Sequence, residues 1–170
     1  MNRLERALVA CNRWVLIALL LAMACIVFAN VVLRYTTGDS IVWAEEVARH
    51  MMIWVTFLGS GLVLRFGGHV AIDNLHNAVG ARAAQAIRAV VAVGLGVFFV
   101  AMAYYSALYC WATRFQTTAA TDISVGWIYL AMPIGFVLML VHLLCIARGY
   151  VAEGRFVASD EMDADAAASL

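Results

Sequence analysis

The segment WAEEVARHMMIWVTFLGSGLVL, residues 43–64, is the most informative part of the sequence, because it joins a charged turn to a short apolar run. The apolar part, Met51 to Leu64, is about 21 Å of helix, whereas the hydrocarbon core of a bilayer is about 30 Å thick. A helix that spans the bilayer here must therefore begin in the turn that holds Glu45, Glu46 and Arg49. Their i, i+3 and i, i+4 spacings place both carboxylates within reach of the guanidinium, so we expect the three charges to neutralise one another.

The composition around this stretch is that of a membrane protein. The chain has 170 residues, of which 65% are hydrophobic and 13% charged, and its mean hydropathy is +0.90. Three further apolar runs without formal charge are long enough to span a bilayer. We predict an all-α polytopic membrane protein, one four-helix domain over residues 1–150 and a disordered polar tail over 151–170, with spans at about 14–33, 43–65, 87–112 and 125–147.

The distribution of arginine predicts the orientation. The chain has no lysine, and with a cytoplasmic N-terminus eight arginines lie inside, while Arg34, Arg49 and Arg114 lie outside. We therefore expect both termini in the cytoplasm. The first apolar run is longer than the core of a signal peptide, so we expect it to remain as a span. The formal net charge of zero does not suggest nucleic acid as a partner.

Two segments on the cytoplasmic side have apolar residues at near-helical spacing. Residues 1–13 form a candidate lead-in helix on the membrane surface. After Gly67 and Gly68, apolar residues recur from Val70 to Ala83, which predicts an interfacial amphipathic helix ahead of the third span. We expect His69 and Asp73, on its polar side, to hold this helix in place.

Other residues define the depth and shape of the spans. Pro133 removes a backbone donor to the carbonyl of Tyr129 and so predicts a kink in the fourth span. The four cysteines form no C-x-x-C pair and are interpreted as small apolar side chains. Aromatic residues expected to anchor the helices at the two membrane interfaces are Trp14, Trp43, Trp111, Trp127 and Tyr129.

Ionisable groups inside a membrane are functional candidates by default. The cluster could be a proton or substrate site, or a structural or docking network. We favour the second, because the cluster lies at one interface and the other spans carry no formal charge, so no relay crosses the membrane. Nucleotide loops, nucleophile motifs and metal-ligand spacings are absent from the sequence, so we expect neither an enzyme nor a bound cofactor. The residues assigned to the network are Arg34, Glu45, Glu46 and Arg49.

A haem-bearing membrane anchor of a respiratory complex is the main alternative, because four-helix subunits can hold haem between paired histidines. Geometry opposes it: His50 is expected near the outer end of span two, whereas His142 lies roughly 25 Å from the outside. His69 or His76 could approach His142, but both lie in a polar segment. A third possibility is a small transporter that works alone.

An ordered series of short motifs resembles the small membrane subunit of tripartite ATP-independent periplasmic (TRAP) transporters, the DctQ-like proteins. The resemblance covers about residues 10 to 148, and one departure is Val125, where members often carry proline. The motifs are NVVLRY at 30–35, WAEE at 43–46 with Arg49, FLG at 57–59, GHV at 68–70 with Asp73, QTTA at 116–119, WIY at 127–129, PIG at 133–135, and His142.

This resemblance implies a partner-dependent role. Members are four-helix subunits of the bacterial inner membrane, bound to a large DctM-like membrane subunit that carries the sodium and substrate sites. A periplasmic binding protein delivers the substrate, usually an organic acid. The small subunit then steadies the scaffold around the moving part of its partner, in the lipid bilayer, and performs no chemistry itself.

Overall fold

The computed structural model describes residues 3–65 and 80–153, and in these ranges the chain is helical without a β-strand. Four helical stretches are long and apolar enough to cross a membrane, which confirms the predicted all-α class with four spans. The helices are α1 (Arg3–Thr37), α2 (Ala44–Arg65), α3 (Ala81–Ala112), α4 (Val125–Tyr129) and α5 (Ala131–Glu153).

Helix α1 is longer than the predicted first span and has no separate lead-in. Its 35 residues extend over about 52 Å, so it projects beyond a hydrocarbon core of about 30 Å. The expectation of a separate surface helix over residues 1–13 is wrong, because neither glycine nor proline interrupts the chain before the apolar run. The first turns of α1 therefore continue the axis of the span.

A tight connection joins α1 to α2. Gly38 has a φ of +78°, a left-handed conformation that glycine adopts without steric cost. The side-chain oxygen of the buried Asn30 accepts a hydrogen bond of 2.7 Å from the backbone N–H of Ile41. The turn is thus tied back to the last part of α1, and α2 begins at Ala44.

The fourth span is interrupted at Leu130, between α4 and α5. Pro133 is the third residue of α5 and has no N–H to donate to the carbonyl of Tyr129. The next amide, that of Ile134, donates to the Leu130 carbonyl at 3.3 Å. The break therefore lies in the turn that precedes the proline.

The four spans lie in a row, in the order α1, α2, α5, α3. Helix α2 packs against α1 on one side and α5 on the other, and α3 packs against α5. The α2–α5 contact is close: a Cβ atom at Gly135 would lie 2.7 Å from Cβ of Phe57. A small core of Leu64, Phe99, Phe136, Met139 and Leu143 joins α2, α5 and α3. The row leaves α1 and α3 at its edges, where many apolar side chains are exposed.

The row has two ends, named here for what they carry. The loop end carries the connections 38–43 and 113–124. The terminal end carries the first turns of α1, Arg65 at the end of α2, and the last turns of α5. The predicted interfacial helix with His69 and Asp73, and most of the predicted tail, lie outside the described residues, whereas α5 continues to Glu153.

Candidate functional site

Glu46 at the loop end is buried and holds the connection between α3 and α4. Its side chain points inward and the residue is only 8% exposed. One carboxylate oxygen accepts the backbone N–H of Ala120 at 2.9 Å, and the other accepts the backbone N–H of Thr121 at 3.1 Å and also the hydroxyl of Thr121. Three donors from one loop therefore satisfy a charge that would be costly to bury alone.

The loop is shaped to present these donors. The amide of Thr118 donates to the carbonyl of Ile123, and the hydroxyls of Thr118 and Thr121 lie 2.8 Å apart in a hydrogen bond. Asp122 completes the turn with a φ of +53°, which aspartate tolerates better than most residues. In the sequence, this loop was noted only for its QTTA motif at residues 116–119. The threonines of the QTTA motif and Thr121 are the residues from which a hydrogen-bond partner for a carboxylate could have been predicted.

Glu45 and Arg49 do not share this site. Glu45 forms an ion pair of 3.0 Å with Nη2 of Arg34, and the two side chains are 67% and 53% exposed. Arg49 is exposed and pairs with no carboxylate in the described part of the chain. The predicted pairing of both carboxylates with Arg49 is therefore wrong. Neighbouring positions on a helix point about 100° apart, so Glu46 faces the loop while Glu45 faces the end of α1.

The terminal end contains a second buried charge, Arg65, which in the sequence was only one of the eight arginines expected on the inner side. Arg65 is 1% exposed; its Nη2 lies 3.3 Å from a carboxylate oxygen of Glu5, and its Nη1 has no hydrogen-bond partner among the residues that the structure describes. Asn12 joins the same two helices, since its amide donates to the carbonyl of Leu58 at 3.0 Å. The sequence shows an acid near the start of α1 and an arginine at the end of α2. It does not show that these two residues are in contact.

His142 is fully buried and is packed rather than ligated. It is 0% exposed, and neither ring nitrogen has a hydrogen-bond partner within residues 3–65 and 80–153. The ring lies against Gly61, where a Cβ atom would be 2.9 Å from Cδ2 of the histidine. His50 lies toward the loop end in a small groove with Trp54 and Trp127, about 16 Å from Gly61 along α2. The two histidines do not face one another, and the geometry does not support the haem alternative.

The predicted interface anchors are on the outer surface of the row. The four tryptophans, Trp14, Trp43, Trp111 and Trp127, are largely exposed. Tyr129 is half-buried and packs against Tyr109 with ring centroids 5.3 Å apart. Within residues 3–65 and 80–153, no three side chains of histidine, cysteine, aspartate or glutamate are grouped to bind a metal ion. Ion pairs occur at the two ends of the row, and the central part of each described span carries no formal charge.

Comparisons with known proteins agree on one family. Residues 23–151 match the model of the family described as tripartite ATP-independent periplasmic transporters, DctQ component. The ectoine TRAP transporter small permease protein TeaB of Halomonas elongata is 27% identical over 129 residues, 75% of this chain and 67% of that protein. The C4-dicarboxylate TRAP transporter small permease protein DctQ of Rhodobacter capsulatus is 28% identical over 143 residues, 77% of this chain and 60% of that protein.

A third relative is much longer than this chain. The sialic acid TRAP transporter permease protein SiaT of Haemophilus influenzae is 25% identical over 129 residues. The match covers 76% of this chain but only 21% of that protein. The chain thus matches most of the length of small permease proteins and about one fifth of a larger permease.

Proposed function

The chain belongs to the DctQ family of TRAP transporter components, and on this premise we propose that it is the scaffold subunit of a sodium-driven importer of an organic acid. It is a small membrane subunit of a transporter and not an enzyme.

The scaffold role is supported by one observation: in the described residues, the central part of each span carries no formally charged side chain. Buried charges lie at the two ends, at Glu46 and Arg65, and each is held by partners within this chain. A relay for ions or for a charged substrate would need ionisable groups at intermediate depths. The apolar side chains exposed on α1 and α3 instead suit contact with lipid or with another membrane protein.

The partner proposed for this surface is a large, DctM-like membrane subunit. In the SiaT relative the segment matched by this chain is part of a much longer permease protein, which supports a close association between the two kinds of segment. We infer that a periplasmic binding protein reaches this chain through the assembled complex. The sodium coupling rests on the likeness to the family alone.

The substrate class is proposed from the names of the relatives. These name ectoine, C4-dicarboxylate and sialic acid, all of which carry a carboxylate group. The identities to the three relatives are nearly equal, at 27%, 28% and 25%, so similarity favours none of them. An organic acid is therefore the narrowest class that the relatives support.

The loop end is the proposed docking region. Glu46 fixes the loop from residue 118 to 121, while the Arg34–Glu45 pair and Arg49 remain exposed beside it. A fixed loop next to exposed charges can be recognised by a partner without reorganising this chain. We propose Arg34, Glu45, Glu46 and Arg49 as the docking network. In it Glu46 holds the loop, and the other three residues are exposed to a partner.

The proposed location is the bacterial inner membrane, with both termini in the cytoplasm. The arginine distribution supports this orientation, with eight residues on the proposed inner side and three on the outer. It places the terminal end in the cytoplasm and the loop end in the periplasm. The proposal also retains a cytoplasmic interfacial helix held by His69 and Asp73.

Co-purification tests the proposal first. The tagged chain is expressed in its native host, extracted in mild detergent, and its partners are identified by mass spectrometry. We expect a large multispan membrane protein in defined stoichiometry. Recovery of the chain alone, or with a dehydrogenase, would contradict the scaffold role.

Transport is then measured with the purified complex in liposomes. The binding protein is supplied outside with C4-dicarboxylate, sialic acid or ectoine, with and without a sodium gradient. We expect uptake of at least one of these acids only with both subunits and an inward sodium gradient. Equal uptake without the gradient would refute sodium coupling, and uptake by this chain alone would refute the scaffold role.

A further inference from the structure

An open apolar groove lies at the loop end between the last turns of α3 and the α4–α5 segment. Its volume is about 730 Å³, which is similar to the volume of small-ligand sites. The interruption at Leu130 and the proline three residues later shape one wall. Residues along the groove include Ala107, Trp111, Trp127, Pro133, Val137 and Leu138.

The top of the groove is closed by a tight contact. A Cβ atom at Gly126 would lie 2.9 Å from the carbonyl oxygen of Cys110 and 3.0 Å from Cα of Arg114. Helix α4 therefore lies directly against the end of α3. The groove begins at Arg114 and extends along the apolar parts of α3 and α5, within segments that span the membrane.

Among the described residues, Arg114 is the only formally charged one that lines this groove. Its guanidinium carbon lies 3.9 Å from the ring centroid of Trp111 and 4.2 Å from that of Phe115. Nη1 donates to the carbonyl of Trp111, and the carbonyl of Arg114 itself accepts the hydroxyl of Ser124 at 2.6 Å. Within the described ranges, no carboxylate pairs with this cation. The rings cover the faces of the guanidinium, and the edge donors that do not bond to the Trp111 carbonyl are left for an anion.

We propose that this groove binds one anionic glycerophospholipid, with the lipid phosphate at Arg114 and an acyl chain along the apolar groove. The combination matches the two parts of such a lipid: a cation without a carboxylate partner beside the interfacial tryptophans, and an apolar groove next to it. An arginine guanidinium binds a phosphate group through charge-assisted hydrogen bonds. A protein segment would need a carboxylate and an apolar stretch in the same order, so the lipid is the simpler occupant. The site is independent of the substrate proposed above.

Fluorescence quenching by brominated lipids tests the site, because two of the five tryptophans line it. The full chain is reconstituted in phosphatidylcholine vesicles that contain a small fraction of brominated phosphatidylglycerol, or of brominated phosphatidylcholine. We expect saturable quenching that favours the anionic lipid by roughly fivefold, the factor expected for one arginine near lipid phosphate. The variant Trp111→Phe, Trp127→Phe should lose this selective component.

Two variants remove the site in different ways. Arg114→Gln should abolish the preference for the anionic lipid, and Ala107→Phe should fill the groove and reduce quenching by both lipids. Ala107 is exposed, so the larger ring does not enter the core. Arg34→Gln is the matched control, since it removes an exposed arginine at the same end that does not line the groove. Its quenching should equal that of the unaltered chain.

Three outcomes would overturn the proposal. Quenching that rises in proportion to both brominated lipids without preference would indicate bulk lipid contact only. An equal loss in Arg34→Gln would indicate general surface charge. Selective quenching that disappears when the chain is reconstituted with its co-purified membrane partner would show that a protein covers the groove instead.

Discussion

The two ends of α2 bury opposite charges in different ways. Near its start, Glu46 accepts three hydrogen bonds from a loop that is 74 and 75 residues away in sequence. At its end, Arg65 is more deeply buried. Among the described residues it has one ion pair at 3.3 Å and an Nη1 without a partner, and the neighbouring His142 forms no hydrogen bond with them. Backbone amides can saturate a carboxylate, whereas a single carboxylate leaves most of a guanidinium unsatisfied. We therefore expect the terminal end to depend more on its one partner.

The largest expected effect follows from removing that partner. Glu5→Ala leaves Arg65 buried without a counter-charge and should destabilise the fold by about 3 kcal/mol, since breaking a buried pair is costly. Thermal unfolding in detergent measures the loss. Arg65→Met, which removes the buried charge and keeps the volume, should cost less, and the double variant should recover stability relative to Glu5→Ala. Equal melting of Glu5→Ala and the unaltered chain would show that the ion pair contributes nothing.

Removal of the buried charge at the loop end should have a different effect, because Glu46 holds a loop whereas Glu5 and Arg65 join two helices. Glu46→Ala should release the segment from residue 117 to 124 and increase its proteolysis several-fold, with a smaller effect on thermal unfolding than Glu5→Ala. Glu46→Gln, which keeps one acceptor oxygen, should be intermediate. Glu45→Ala is the matched control, since the adjacent carboxylate is exposed and bonded only to Arg34. Equal cleavage of the Glu45 and Glu46 variants would contradict the assigned role.

A third prediction concerns the packing of His142 at the terminal end. Gly61→Ala places a Cβ atom 2.9 Å from the histidine ring and should cost about 1 kcal/mol, because the ring must shift in a packed interface. Gly94→Ala is the control, since a Cβ atom there meets nothing within 4 Å. In a His142→Ala background the cost of Gly61→Ala should vanish. Persistence of the cost in that background would indicate that the clash is with the α5 backbone instead.

The smallest effects are expected for the exposed charges at the loop end. Arg34→Ala should change the free energy of unfolding by about 0–1 kcal/mol, and Arg49→Ala by no more than about 0.5 kcal/mol. The sequence analysis implied a larger loss for Arg49, because it paired that residue with both carboxylates. If Arg49 docks a partner, its alanine variant should melt normally yet co-purify less of the large subunit. Unchanged melting together with unchanged complex yield would remove Arg49 from the docking network.

The sequence predicted the spans better than the contacts between them. The span at 43–65 required its charged turn to enter the helix, and α2 indeed includes Glu45, Glu46 and Arg49. The motifs identified the family because they are local and ordered. The partner of Glu46 could not be derived in the same way, since backbone amides of a distant loop leave no charge pattern in the sequence.

Hydropathy and periodicity alone determined the four spans, their apolar centres and the confinement of charge to their ends, because partitioning into a bilayer depends on local composition. Three features follow only from contacts between distant parts of the folded chain. They are the order of the helices in the row, the burial of Arg65 against Glu5, and the division of Glu45 and Glu46 between two sites. Adjacent residues on a helix point in directions about 100° apart, so which one becomes buried depends on where the neighbouring elements lie.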